Sequence, residues 1–215
     1  MHDATLTFQR NIPIRHEVDV MVAGGGPAGI AAAVAAARQD ARVFLAEGEV
    51  CFGGMGTAGA LPMFCSFTDG VNFVADGVGR MVHERLTEAD AVSIPSLRGN
   101  RDIYFNPEPL KRIYDDLLVK SGVKFTLATQ VIAVEHENGL VTHAVCQGKS
   151  GLYAVRAGAF VDATGDGDLC ARAGAPFEKG DASGRMQPGT FISQWAGIDW
   201  QKADAADCGI WQQSG

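Results

Sequence analysis

Residues 18–29 read Val18-Asp19-Val20-Met21-Val22-Ala23-Gly24-Gly25-Gly26-Pro27-Ala28-Gly29, and their order decides the fold. The apolar run Val18–Ala23 predicts a buried strand. Three glycines then allow a turn that few other residues can make. Pro27–Gln39 is rich in alanine and opens on a proline, which suits the first turn of a helix. Arg42–Ala46 is the next strand, and it ends at Glu47-Gly48. Strand, G-x-G-x-x-G (Gly24, Gly26, Gly29), helix, strand and acid fall within about thirty residues, the size of a dinucleotide-binding unit.

Each part has a physical task. Gly24 permits the sharp exit from the strand. Gly26 has no Cβ, so a pyrophosphate can approach the backbone, and Gly29 lets the helix pack on the sheet. Gly25, Pro27 and Ala28 complete the loop. The helix start presents free N–H groups and a partial positive charge to phosphate. Glu47 can accept hydrogen bonds from a ribose, and its charge repels a 2′-phosphate, which disfavours NADP. A glycine-rich turn in an ordinary α/β protein is the plainer reading. It leaves the second strand and its acid without a role.

Composition sets the outer bounds. The chain has 215 residues, 47% of them hydrophobic and 20% charged, enough to bury a sizeable core. A net charge of −7 and the lack of any Lys/Arg-rich run argue against nucleic acid as a partner. Val20–Ala37 carries no charge, yet Gly24–Pro27 interrupts it, so it suits a strand–turn–helix and not a membrane span. Met1–Glu17 lacks the apolar centre of a signal peptide. Cys51, Cys65, Cys146, Cys170 and Cys208 form no C-x-x-C and read as reduced thiols of a cytoplasmic protein. His2, His16, His83, His136 and His143 have no metal-ligand spacing.

Further along, Asn72–Ala89 has helical spacing. Ser93–Glu108 reads as irregular. A helix starting at Pro109 and running to about Ser121 places Leu110, Ile113, Leu117 and Leu118 on one face. Val123–Ala128 is a strand candidate. Gln130–Glu137, Leu140–Gln147 and Leu152–Arg156 follow as three short runs, and Asn138-Gly139 between the first two is a hairpin signal. The three runs predict an antiparallel meander.

Two more glycine-rich stretches stand out. Gly53-Gly54-Met55-Gly56-Thr57 offers a backbone that can lie against a ligand, with Thr57 as a hydroxyl donor. Thr164-Gly165-Asp166-Gly167-Asp168 ends the apolar run Ala159–Ala163. It falls where open α/β sheets bind ligands, at the carboxyl ends of strands. Its acids lack the later ligands of a calcium loop, so no metal is expected.

Taken together, these residues resemble the FAD-dependent oxidoreductases of the glutathione-reductase-like class with two dinucleotide-binding domains. The likeness is greatest to the branch with fumarate-reductase-like and heterodisulfide-reductase-like flavoproteins. It runs from about Ile12 to Pro176. The resemblance implies an α/β fold: a Rossmann-like FAD-binding domain with a parallel central sheet, a three-stranded antiparallel meander, and the start of a second domain. It implies a lead-in at 1–16, the FAD-binding domain at 17–176, and the beginning of a substrate domain at 177–215. Such proteins are longer, so the chain reads as truncated at its C-terminal side.

By the same resemblance, Gly24, Gly25, Gly26, Pro27, Ala28 and Gly29 face the FAD pyrophosphate, and Glu47 with Gly48 meets the adenosine ribose. Gly53, Gly54, Met55 and Thr57 run along the pyrophosphate toward the flavin. Val131 offers its backbone to the adenine. Thr164, Gly165 and Asp166 approach from the other side. A disulfide reductase of this class carries a cysteine pair after the second loop, where Met55 and Gly56 stand here, so dithiol chemistry is not expected. The implied activity is hydride or electron transfer between flavin and a small organic substrate. An NAD-binding dehydrogenase and a non-redox or inactive dinucleotide-binding domain are the alternatives. No residue is singled out as catalytic.

Overall fold

Side chains alternate along a strand, so a strand covered on both faces feeds two cores at once. The structure is a computed structural model, and it describes residues 5–65, 67, 69, 71–93, 102–199 and 201–202. Its elements, in chain order, are β1 (Ile14–Ala23), α1 (Pro27–Ala37), β2 (Val43–Ala46), β3 (Met63–Phe64), α2 (Val78–Glu88), β4 (Val92–Ser93), β5 (Ile103–Phe105), α3 (Pro107–Lys120), β6 (Lys124–Thr126), β7 (Gln130–Glu137), β8 (Leu140–Gly148), β9 (Gly151–Asp162) and α4 (Asp168–Arg172). A 3-10 turn at Gly54–Gly56 lies between β2 and β3.

Six strands form one sheet in the order β6-β2-β1-β9-β8-β7. β1, β2, β6 and β9 run parallel to one another. β7, β8 and β9 form the expected antiparallel meander. On one face Val22 and Leu45 pack with Ile30 and Val34 of α1, Leu86 of α2 and Leu110 and Leu118 of α3. On the other, Met21 and Phe44 pack with Ala144, Cys146, Tyr153 and Val155 of the meander and Leu169 of α4. Neighbours in sequence, Met21/Val22 and Phe44/Leu45, thus serve opposite cores.

The meander is joined to the parallel strands through one continuous β9. The sequence reading separates Leu152–Arg156 from Ala159–Ala163, because Ala157-Gly158 are weak strand formers. Pairing overrides that weakness: β1 lines the strand from Ile14↔Ala154 to Ala23↔Asp162. A Cβ on Gly158 would come within 3.3 Å of the Asp19 carbonyl oxygen, so the glycine accommodates a close neighbouring backbone. The same pairing draws β1 back to Ile14, ahead of the expected Val18.

Three other boundaries differ from expectation. The helix over 72–89 starts only at Val78, because Gly77 stands at φ +65° and Asp76 takes the Gly77 N–H onto its own carboxylate. The third helix starts at Pro107, not Pro109: Asn106 accepts the Glu108 N–H and caps it. Within the stretch read as irregular, Ile103–Phe105 is the middle strand of a small antiparallel sheet, β3-β5-β4. Phe105, fully buried, drives that strand inward; residues 94–101 lie outside the described residues.

Parallel register has one consequence for function. Ala46 pairs with both Ala23 and Thr126, and Ala23 with Asp162. The carboxyl ends of four strands therefore stand level. Whatever follows each of them, Gly24, Glu47, Leu127 and Ala163, is delivered to one edge of the sheet.

Candidate cofactor site

The first loop is fixed by contacts that only glycines allow. Gly24 stands at φ +96° and donates its N–H to the Ala46 carbonyl at 2.8 Å. A Cβ there would collide with the backbone of Ala163 and Thr164. A Cβ on Gly29 would strike the Gly24 carbonyl. Gly26, by contrast, would meet nothing within 4 Å. Gly24 and Gly29 are thus demanded by the fold, while Gly26 faces open space at the start of α1.

The second loop is bound to the first. Gly53 donates its N–H to the Gly25 carbonyl at 2.9 Å. A Cβ on Gly54 would lie 3.3 Å from the Cα of Gly26. Met55, 60% exposed, projects from the turn. The N–H groups of Gly26, Ala28, Gly29, Gly54 and Met55 have no acceptor among the described residues. Unpaired amides at a helix start and an adjacent glycine turn are what an anionic group needs. The cradle fits the pyrophosphate of a dinucleotide.

Glu47 sits beside this cradle and is only 7% exposed. One carboxylate oxygen accepts the Gly25 N–H, and the other accepts the Glu49 N–H at 2.7 Å. Two backbone donors offset the cost of burying its charge. An acidic side chain so held next to the phosphate loop suits a ribose diol. Gly48 follows, with room for a Cβ 3.6 Å from Gln130.

Two threonine hydroxyls are engaged within the protein itself. Thr57, expected as a hydroxyl donor to phosphate, is 7% exposed and gives its proton to the Phe52 carbonyl at 2.7 Å. It closes the second loop from within, so a phosphate would meet the loop's amides instead. Thr164 donates to Asp162 at 2.7 Å and accepts the Asp168 N–H at 2.9 Å. Asp162 also accepts the Thr164 and Cys170 N–H groups. Burial works to raise its pKa, and these hydrogen bonds together outweigh it and hold the carboxyl below its ordinary value. Ala163 and Thr164 lie against Gly24 as part of a braced turn, and Gly165 and Asp166 are exposed beyond it.

Val131 is the second residue of the edge strand β7, its side chain buried in the core on the meander side. An edge strand keeps backbone groups free on its outer side. Reasoning from sequence missed Phe52, which is fully buried beneath Gly25: a Cβ on Gly25 would come within 2.5 Å of its ring and 2.9 Å of the Glu47 carboxylate. It also missed Asp162, although an aspartate two positions before a turn residue is a readable Asx signal.

A cavity of about 380 Å³ lies elsewhere, between α1, α2 and α3, lined in part by Arg38, Arg85 and Lys120. These cations stand in or beside the last turns of the three helices, where they answer the negative ends of the helix dipoles. It is not part of the cofactor site. Among the described residues no cluster of His, Cys, Asp and Glu is able to hold a metal, and no helix is long and apolar enough to cross a membrane.

Residues 19–214 match the family described as FAD dependent oxidoreductase, and the chain belongs to that family. Its cofactor is FAD. No curated protein matches the sequence. Among solved structures, the fold is similar to a geranylgeranyl bacteriochlorophyll reductase-like protein from Thermoplasma acidophilum, at 20% identity and a TM-score of 0.52, over 74% of this chain and 42% of that one. It is similar to THI4 of Thermovibrio ammonificans at 19% identity and a TM-score of 0.52, over 73% and 61%. It is similar to the anhydrotetracycline hydroxylase OxyS of Streptomyces rimosus at 18% identity and a TM-score of 0.55, over 77% and 35%. The chain therefore spans between about a third and three fifths of the length of these structures.

Proposed function

We propose that the chain is the FAD-holding part of an oxidoreductase that passes hydride or electrons between flavin and a small organic molecule. The observation that carries this reading is the joining of the two glycine loops, through Gly25 and Gly53, beside the buried carboxylate of Glu47. Bound FAD supplies hydride and electron chemistry, and a protein's own part is to orient it and exclude competing reactions. In this chain, the amides of Gly26, Ala28, Gly29, Gly54 and Met55 hold the pyrophosphate. Glu47 takes the adenosine ribose, with Gly48 leaving room, and the outer backbone of Val131 borders the adenine. Thr57 and Thr164 brace the loops from inside. The turn carrying the exposed Met55 would border the cofactor on its way toward the flavin.

The order of the three glycine-rich loops favours the fumarate-reductase-like and heterodisulfide-reductase-like branch. Substrate-binding residues would come from the second domain, which begins in residues 177–215. The test is anaerobic. The FAD-loaded chain is reduced with dithionite, and small carbonyl and alkene acceptors are scored by the return of the oxidised flavin absorption. Return with any acceptor at a rate above that of free reduced FAD supports the reading. No return above that rate, from this chain or a longer one, points to a non-redox use of the dinucleotide.

A further inference from the structure

The backbone on either side of Glu47 is gripped by a segment far away in sequence. Glu47 donates its N–H to the Thr126 carbonyl at 2.9 Å, and its own carbonyl accepts the Thr129 N–H at 2.8 Å. Two residues on, the Glu49 carbonyl accepts the Ala128 N–H at 2.8 Å. To make these bonds the chain doubles back, and Ala128 adopts φ +48°, a left-handed conformation that a residue with a Cβ takes only at a cost. The Thr129 hydroxyl closes the fold-back by donating to the Leu127 carbonyl at 3.0 Å. Thr129 is 4% exposed.

A single phenol locks this clasp from outside. The Tyr153 hydroxyl lies 3.0 Å from Thr126 Oγ1, in hydrogen-bond contact with it. Tyr153 comes from β9, in the meander. Its ring is held edge-on to Phe44 and His16, and the Arg15 guanidinium stands 4.8 Å above it. A rigid ring therefore presents its hydroxyl to Thr126, where the clasp begins. Gly148 completes the fit, since a Cβ there would lie 3.0 Å from Thr129 Oγ1.

We infer that Tyr153 and the Thr126–Thr129 clasp are positioning residues for the adenosine half of the cofactor, acting through Glu47. None of them needs to touch the nucleotide. The clasp fixes the peptide units before and after Glu47, and so fixes where its carboxylate points. A displaced carboxylate loses the hydrogen bonds a ribose diol would give it. The inference rests on the reading of Glu47 as the ribose acceptor.

The experiment compares ADP with 2′,3′-dideoxy-ADP by calorimetry, for the unaltered chain, Tyr153→Phe, Thr129→Val and Thr129→Ser. The unaltered chain prefers ADP by about tenfold or more, the worth of hydrogen bonds to a charged acceptor. Tyr153→Phe and Thr129→Val shrink that preference about threefold or more, and Thr129→Ser, which keeps the hydroxyl, retains it. A merely structural role would weaken both ligands equally and leave the ratio alone; that result overturns the inference. No preference for ADP in the unaltered chain overturns the reading of Glu47 itself, and the two failures are thereby distinct. Melting temperatures measured alongside establish that each variant is folded.

Discussion

The backbone N–H of Gly25 is held by the carboxylate of Glu47, which brings the phosphate loop and the ribose acid into one hydrogen-bonded unit. The link is made because β1 and β2 end level, with Ala23 opposite Ala46. Replacing Glu47 by Gln keeps the shape but removes the charge, and it leaves one of the two backbone N–H groups, of Gly25 or Glu49, without its acceptor. FAD affinity is expected to fall about five- to thirtyfold, the difference between charged and neutral hydrogen bonds. Quenching of flavin fluorescence on titration measures it; an unchanged dissociation constant speaks against a ribose role for Glu47.

The three glycines of the motif are expected to separate fold from ligand. Gly29→Ala pushes a methyl group into the Gly24 carbonyl and costs about 3 kcal/mol of stability as overpacking. Gly26→Ala meets no protein atom within 4 Å, so it costs at most about 1 kcal/mol, the preference of a helix N-cap for glycine over alanine. Yet it fills the place a phosphate needs, and FAD affinity drops at least about tenfold. Urea unfolding paired with FAD titration checks both. If Gly26→Ala binds FAD normally, the phosphate lies elsewhere.

Thr57 serves the loop and not the ligand. Thr57→Val leaves the Phe52 carbonyl without its donor and costs about 1–3 kcal/mol, while Thr57→Ser retains most of the stability. Equal stability of the Val and Ser variants in urea contradicts this.

Acid is expected to loosen the meander side of the sheet. His16 stacks on Phe44 with ring centroids 4.1 Å apart. Burial first, then Lys124 and Arg15, push its pKa below the ordinary 6.5. A lowered histidine pKa means that the unfolded chain takes the proton first. The contribution is therefore intact above pH 6.5 and is lost as pH falls from 6.5 through the folded value. His16→Phe keeps the stack and removes the titration. Unfolding curves at about pH 8 and about pH 5.5 should converge for that variant more than for the unaltered chain.

Much of this was legible in the sequence because it is local. The strand–turn–helix of 18–37, the acid at 47 and the Asn138-Gly139 hairpin are each specified by neighbours in the chain. Asn138 and Gly139 both take positive φ, as a two-residue hairpin asks. What sequence reading missed depends on partners far apart. Gly158 reads as a strand break until Asp19 is placed beside it. Ile103–Phe105 reads as loop until Met63–Phe64 and Val92–Ser93 flank it. The clasp at Thr126–Thr129 has no local signal, since its bonds go to Glu47, Glu49 and Tyr153. Thr57 and Thr164 stand in the glycine-rich loops that the sequence singles out, but the direction of a hydroxyl is decided by whichever acceptor packing brings near.

The most direct test of the central claim, that Gly24–Gly29 and Glu47 hold FAD, is the visible absorption spectrum of the purified chain, followed by chromatography of the nucleotide that heat releases. The account predicts a flavin spectrum, with FAD in the supernatant and loss of colour in Gly26→Ala. A colourless chain that takes up NAD and refuses FAD on titration, in this form and in a longer one, contradicts it.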